Sequence, residues 1–248
     1  MEQHQSMYEP REYRHWIKGK DMVSFTVDIK ETDLHIQAKR NLKRKALKSV
    51  MRHRSSLEKY IERHPNFLTT LGPLPLGEDA PNIVISMAAA AFKIGVGPMA
   101  AVAGAIAEGV GIDLLEFSPE VIVENGGDLF LKSNSRRMVG IYAGESPFTG
   151  RLALEINPEE TPLGICTSSG TVGHSLSLGM ADAVIVLSAS ASLADAAATG
   201  IGNMIREVDD IPKAIKFAEN VDGLRGVVII KGEKLGVWGK IKLAHVDV

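Results

Sequence analysis

The residue types that could carry out chemistry are concentrated in three short segments. The first, residues 164–175, follows an apolar run directly and holds the only cysteine, Cys166, with His174 eight residues later. A nearby histidine can lower the pKa of a thiol, so the pair predicts a nucleophile or a sulfur carrier. A lone cysteine at the end of a strand is also typical of a small buried apolar residue, and the spacing leaves both interpretations open.

The same segment is typical of an anion-binding loop. Its glycines and hydroxyl side chains favour contact between backbone amides and a phosphate or another oxyanion. The Gly-Lys-Ser/Thr ending of a P-loop is absent, so this is a different kind of loop. The candidate ligand-binding residues are Thr167, Ser168, Ser169, Gly170 and Ser175.

The second segment is a polar turn between two apolar runs, Asn125-Gly126-Gly127-Asp128. Asn-Gly and Gly-Asp pairs supply positive φ angles, which predicts an ordinary hairpin connection. In a binding site, the same two glycines would expose N–H groups to an anion or a ribityl chain. Asn125 and Asp128 would then add polar contacts at the rim.

The third segment places Asp195 and Thr199 four residues apart on a predicted helix, within a run of alanines. Their oxygens would share one helix face, and this spacing suits a hard cation such as Mg²⁺, which keeps water or phosphate oxygens as further ligands. In the alternative interpretation, Thr199 bonds a carbonyl of its own helix and Asp195 serves the N-terminus of that helix.

The composition of the whole chain excludes several classes of protein. With 248 residues, 45% hydrophobic and 23% charged, the chain can bury a large core, which excludes disordered and fibrous classes. The polar N-terminus predicts no signal peptide, and the apolar region from Met87 to Ile112 is interrupted by Lys93, Pro98 and Glu108. We therefore expect a cytoplasmic protein with no membrane partner. A single cysteine excludes an intramolecular disulfide and a Cys-cluster metal site.

Basic residues are concentrated between Lys39 and Arg54, where eight Lys or Arg meet no acidic residue. Apolar residues at helical spacing predict an amphipathic helix that runs to about Arg63 and is stopped by Pro65. Its basic face would suit a phosphate-bearing ligand or nucleic acid. Because no aromatic residues interleave with the charge, we favour a solvated face against an acidic domain or subunit, and nucleic acid is not expected.

The remaining pattern predicts the elements that position these segments. Residues 23–29 and 34–38 alternate as a hairpin with its turn at residues 31–33, and residues 81–92 and 98–108 predict alanine-rich buried helices. Strands are expected from residue 121 onward, with 184–187 as a central strand, and helices from Ser190 or Ser192 to about Arg206 and from Asp209 or Asp210 to Glu219. Strands at 227–230 and 240–243 would flank a turn region at 232–239. The result is an α+β chain forming a single domain over residues 1–248, with residues 1–80 integrated into it.

Taken in order, the three segments resemble the flavin transferases of the ApbE superfamily over residues 80–245. Residues 195–199 match its Asp-Ala-x-x-Thr motif letter for letter. The resemblance implies an ApbE-like, T-fold-type α+β domain with mixed or antiparallel sheets, Mg²⁺ on Asp195 and Thr199, and a flavin as ligand. The chain lacks the transferases' His-x-x-Asp-Pro-x-Thr-Gly segment, which implies incomplete contacts to the adenine and pyrophosphate of FAD.

The block from Cys166 to Ser175 is similar to a Cys-containing branch of that superfamily in methanogenic archaea and other anaerobes. This resemblance implies a sulfur-transfer component of homocysteine or cysteine biosynthesis, in which Cys166 carries a persulfide and His174 tunes it. It also implies a small anionic substrate and a sulfur-relay partner, either a reductase or an acceptor-activating enzyme. The alternative is Mg²⁺-dependent flavin binding, flavin transfer or FAD hydrolysis. Glycine- and alanine-rich surfaces further suggest a homodimer.

Overall fold

The computed structural model describes residues 21–171 and 178–246. The helices are α1 (Lys43–Arg63), α2 (Asn66–Thr69), α3 (Asn82–Ile94), α4 (Val102–Leu115), α5 (Ala191–Gly202) and α6 (Ile211–Glu219). The strands are β1 (Val23–Ile29), β2 (Thr32–Ala38), β3 (Val121–Asn125), β4 (Asp128–Lys132), β5 (Arg137–Gly140), β6 (Leu152–Ile156), β7 (Leu163–Ser168), β8 (Ala183–Ser188), β9 (Leu224–Lys231), β10 (Lys234–Gly239) and β11 (Leu243–His245).

The strands form two sheets, antiparallel in every pairing. The large sheet has eight strands in the order β1-β2-β3-β4-β7-β8-β9-β10, and the small sheet has three in the order β11-β6-β5. The chain leaves the large sheet after β4, forms β5 and β6, and returns as β7 beside β4. The predicted α+β class is confirmed, with antiparallel sheets packed against helices.

Side-chain alternation divides the large sheet into two faces. Val123, Phe130 and Cys166 belong to the core shared with the helices. Their neighbours Ile122 and Ile165 belong to a second core shared with the small sheet. Because successive strand residues point to opposite faces, position in the strand decides which layer each side chain meets.

Helices α4 and α5 pack closely on the sheet because small residues line their contact. A Cβ added to Gly104 of α4 would clash with the carbonyl of Ala191 and lie 2.8 Å from Cβ of Asp195. A Cβ added to Gly164 of β7 would lie 2.7 Å from the nitrogen of Ala191. The start of α5 is thus held between α4 and β7, with no room for a larger side chain at either glycine.

Several boundaries differ from the predicted ones. The β1–β2 turn lies at Lys30 and Glu31, α1 begins at Lys43, and α5 ends at Gly202. The region expected to be a turn forms the edge strand β10, none of whose residues is buried. An edge strand exposed in this way lacks the apolar alternation by which strands are found. By length and composition alone, the helical stretch Pro98–Leu115 could cross a membrane, and half of it is buried within the described structure.

Candidate functional site

The predicted polar residues converge on the helix-facing side of the large sheet. Asn125 shares its face with Val123, and Asp128 shares its face with Phe130, both of the helix-side core. Cys166 on β7 lies on the same side, under α5. Asp195 projects from α5 toward the start of α4, where the amide of Gly104 donates a hydrogen bond to its Oδ2 at 2.8 Å.

We call Asp128, Cys166 and Asp195 the buried cluster. Their exposed fractions are 6%, 0% and 9%. The amide of Thr167 donates to Oδ1 of Asp128 at 3.2 Å, and Sγ of Cys166 donates to the carbonyl of Ala191 at 3.3 Å. Within residues 21–171 and 178–246, neither aspartate forms a salt bridge with a lysine, arginine or histidine.

Burial without a cation shifts both carboxyl groups toward their protonated forms. Desolvation raises the pKa of Asp195 from 3.8 to about 7, although hydrogen bonds from the amides of Gly104 and Ala103 oppose the shift. Desolvation also raises the pKa of Asp128 well above its usual value, and the nearby charge of Asp195 adds to this. The site therefore favours a carboxyl pair that holds a proton near neutral pH.

The structure does not give Cys166 the exposed surroundings expected of a reactive thiol. A low thiol pKa needs exposure and positive charge nearby, whereas Cys166 is fully buried. Burial raises the pKa of the Cys166 thiol well above its usual value, and the charges of Asp128 and Asp195 raise it further. The environment is that of a small buried side chain. His174 and Ser175, expected to assist, lie outside the described residues.

Asp195 does not serve its own helix. The N-cap of α5 is Ser190, whose hydroxyl accepts from the amide of Leu193 at 3.4 Å. Asp195 instead accepts from an amide in the first turn of α4. In return, Glu108 of α4 accepts from the amide and the hydroxyl of Ser192 in α5, both at 3.1 Å. The two helices thus cap each other's first turns.

The role of Glu108 is not predicted from the sequence above. The sequence nevertheless singles this residue out, because Glu108 is the one carboxylate in the alanine- and glycine-rich stretch from residue 98 to 111. Such a residue, if buried, must find donors. What the sequence does not show is that the donors belong to α5, 82 to 84 residues further along the chain.

The glycine–serine loop offers fewer free amides than expected. The amide of Gly170 donates to the carbonyl of Ala181 at 2.9 Å, and the amide of Thr171 donates to the hydroxyl of Ser169 at 3.1 Å. Thr167 shares its face with Ile165, away from the helices, so only its backbone reaches the buried cluster. Ser168 is buried beside the end of α5, where a Cβ on Gly202 would lie 3.4 Å from its hydroxyl.

The Asn125–Asp128 segment forms a two-residue hairpin turn. Gly126 and Gly127 have φ angles of 66° and 103°, which glycine adopts without strain. The amide of Gly127 donates to Oε1 of Glu124 at 2.9 Å, and so is not directed to a ligand. Nδ2 of Asn125 donates to the carbonyl of Ala103 at 3.1 Å, which ties the turn to the start of α4.

The donor set at this site fits a hard cation rather than a zinc ion. The described residues contain no cluster of three or more His, Cys, Asp or Glu side chains suited to a metal. Asp195 and Thr199 lie one turn apart on α5, and Thr199 is partly exposed. Carboxylate and hydroxyl oxygens completed by water or phosphate oxygens suit Mg²⁺, whereas structural zinc sites take four protein ligands.

The chain also matches a known protein family. The family model described as AbpE bacteria matches residues 14–235. The chain belongs to this family. It is 45% identical over 223 residues to the UPF0280 protein of Methanocella arvoryzae, which covers 88% of this chain and 91% of that protein. It is 42% identical over 226 residues to a UPF0280 protein of Methanopyrus kandleri, with 88% and 91% covered.

Solved structures share the fold at low identity. The apo flavinyl transferase ApbE of Pseudomonas stutzeri aligns with a TM-score of 0.59 at 14% identity, over 90% of this chain and 95% of that one. The ApbE protein of Thermotoga maritima aligns with a TM-score of 0.58 at 11% identity, over 87% and 96%. The expected ApbE-like fold, in a branch with relatives in methanogenic archaea, is confirmed.

Proposed function

We propose that this chain binds a flavin nucleotide with Mg²⁺ at the junction of α4 and α5, and that Asp195 and Thr199 hold the ion. The observation that carries the proposal is the buried cluster, in which two carboxyl groups lie together and no described cation pairs with either. A divalent ion would remove the electrostatic cost of that arrangement. The flavin transferases that share the fold support the choice of ligand.

The chain's own residues would prepare the site as follows. The amides of Gly104 and Ala103 orient the Asp195 carboxylate, and its proton must leave before it can ligate a metal. Burial and Asp195 both raise the pKa of Asp128, which favours its protonated form. Thr199 supplies a hydroxyl oxygen one helical turn from Asp195. When bound, Mg²⁺ would neutralise the diphosphate of the nucleotide.

Flavin transfer and FAD hydrolysis are the reactions this site would support, because both break the diphosphate that the ion polarises. The sulfur-relay alternative is not favoured by the geometry. A persulfide carrier must meet its partners as an accessible thiolate, and Cys166 is buried among carboxyl groups with a raised pKa.

Quenching of FAD fluorescence tests the proposal. We expect the wild-type protein to bind FAD with Mg²⁺, and to bind it at least about tenfold more weakly with EDTA. Asp195→Asn should lose the Mg²⁺ dependence. The matched control Asp222→Asn, at a side chain that is 101% exposed, should bind like the wild type.

Two further results would decide the proposal. Detection by chromatography of AMP and FMN released from FAD would identify a reaction at the diphosphate. FAD binding that is the same with Mg²⁺ and EDTA, or that is unchanged in Asp195→Asn, would overturn the assignment of the metal site.

A further inference from the structure

A second charged site lies at the other end of α4. A cavity of about 570 Å³ is lined by Arg40, Asn41, Leu42, Lys43, Arg44, Lys45 and Phe117, and we call it the basic groove. Helix α4 has 14 residues and is about 21 Å long. The buried cluster lies at its start, and Phe117 follows its end, so the groove is a separate site.

The charged side chains that line the basic groove are all cationic, while Asp113 and Glu116 line the neighbouring cavity that shares Lys45 and Phe117 with it. Four of its lining residues are cationic and none is acidic. In residues 21–171 and 178–246, no carboxylate forms a salt bridge with any of these four cations. Like charges gathered this closely repel one another, and a bound anion would relieve the repulsion.

All four cations are exposed, and two of them also contact Phe117. Nε of Arg40 donates to the carbonyl of Phe117 at 2.9 Å, and Nζ of Lys45 lies 4.1 Å from the centre of the Phe117 ring. Through these contacts, an aromatic ring and two positive groups form the base of the groove. Lys43 and Arg44 are exposed above it at the start of α1, with no such contact among the described residues.

The N-terminus of α1 makes positively charged side chains unfavourable in the basic groove. Its first turn carries no acidic residue, and its N-cap, Leu42, makes no side-chain capping bond. The positive end of the helix dipole therefore adds to the cationic charge. Asn41 accepts from the amide of Lys43 at 2.9 Å and satisfies one donor of this turn.

The basic character ends within about two turns of α1. Further along, Arg52 pairs with Asp113, and Arg54 pairs with Glu31 and Glu58. A nucleic-acid track would need positive charge along a longer path and open aromatic surfaces for stacking. Here the charge is local, and the one aromatic ring is covered by Lys45.

We propose that the basic groove binds a small phosphate-bearing ligand. Arg40 and Lys45 would form the base of the site, and Lys43 and Arg44 would close on the phosphate oxygens. Arginine and lysine together recognise phosphate by paired hydrogen bonds and by point charge. The proposal does not depend on flavin binding at the buried cluster.

Isothermal titration calorimetry in EDTA separates the two sites, because the buried cluster then holds no divalent ion. The probes are orthophosphate, pyrophosphate and AMP, titrated into wild type, Lys43→Gln/Arg44→Gln, and the control Lys213→Gln/Lys216→Gln on α6. We expect one site per chain, weakened at least about tenfold in the groove variant and less than about twofold in the control. Tighter binding of orthophosphate than of AMP would indicate a free phosphate as the ligand, and tighter binding of AMP would indicate a phosphate ester.

Three outcomes would overturn the proposal. Wild type could bind none of the three probes at millimolar concentration. Both variants could lose affinity equally, which would indicate a response to net charge alone. A single-stranded oligonucleotide could bind with a steep salt dependence while the small probes do not, which would make the groove a nucleic-acid surface.

Discussion

The buried cluster and the basic groove lie near opposite ends of α4. The first gathers acidic side chains and the second gathers basic ones. In the cluster, two carboxyl groups are removed from water with no cation paired to them among the described residues, and burial raises the pKa of both. In the groove, four exposed cations have no carboxylate partner within the described part of the chain, and exposure to water keeps them charged. Burial therefore decides whether an unbalanced charge is removed by a proton or kept for a ligand.

This difference predicts how each region would respond to its counter-ion. A cation entering the cluster must displace a proton, so its affinity depends on pH near neutrality. An anion entering the groove displaces only water and loosely held salt ions, so its affinity depends on ionic strength.

The reactivity of Cys166 tests how completely the cluster is closed. We expect iodoacetamide to modify the native thiol at least about a thousandfold more slowly than the thiol of the unfolded chain, because β7 and α5 must separate first. Intact-mass measurements in buffer and in guanidinium give the two rates. Fast native modification, or a gain of about 32 Da per sulfur after polysulfide treatment, would instead indicate an accessible thiol and revive the sulfur relay.

Gly104→Ala tests the contact that holds Asp195 in place. The new methyl group would overlap the carbonyl of Ala191, and we expect a loss of about 2–3 kcal/mol in the free energy of unfolding. Gly72→Ala is the control, since a Cβ there meets nothing within 4 Å. Urea unfolding of both variants measures the effect. Equal, small losses would show that α4 can move away from α5 at little cost.

Asp195→Asn tests the proton in the cluster. The folded-state pKa of Asp195 is raised from 3.8 to about 7, so its contribution to stability is present below pH 4 and is lost as the pH rises toward 7. Across that window, the wild type should lose up to about 1.4 kcal/mol per pH unit relative to Asp195→Asn. Unfolding free energies in EDTA at half-unit intervals give the difference. A difference that does not vary with pH would mean that Asp195 is charged throughout.

Lys43→Glu tests the groove in the absence of a ligand and has the smallest effect. An acidic residue in the first turn of α1 suits the helix dipole and removes repulsion among neighbouring cations. We expect a gain of about 0.5 kcal/mol at low ionic strength, decreasing as salt is added. Lys59→Glu, near the other end of the helix, should give no gain. A loss of stability in Lys43→Glu would show that Lys43 has a carboxylate partner.

Much of the fold was predictable because it follows from local pattern. The hairpin of β1 and β2 shows apolar alternation, the buried strand β8 is a continuous apolar run, and α3 and α5 are rich in alanine. The edge strand β10 does not, since its partners are the backbone of β9 and one side of α6. Its identity as a strand depends on pairing, which a local pattern does not show.

The candidate site was predictable in its members and not in its electrostatics. The residue types identify Asp128, Cys166 and Asp195, yet the sequence predicts a reactive thiolate where the structure has a buried thiol beside two carboxyl groups with raised pKa. The cause is tertiary: alternation places Asp128 and Cys166 on one face, and Gly104 lets α4 approach Asp195. Neither fact is visible until the strands pair and the helices pack.

The exchanged caps of α4 and α5 have a consequence for motion. Glu108 and Asp195 each close the other helix's first turn, so neither end can open without loss at its partner. Amide hydrogen exchange at Gly104 and Ser192 should therefore proceed through one shared opening, with equal opening free energies despite the distance between them in sequence. An ion that drew Asp195 away from Gly104 would quicken both amides together. Occupancy of the site would then be detectable at the first turns of both helices.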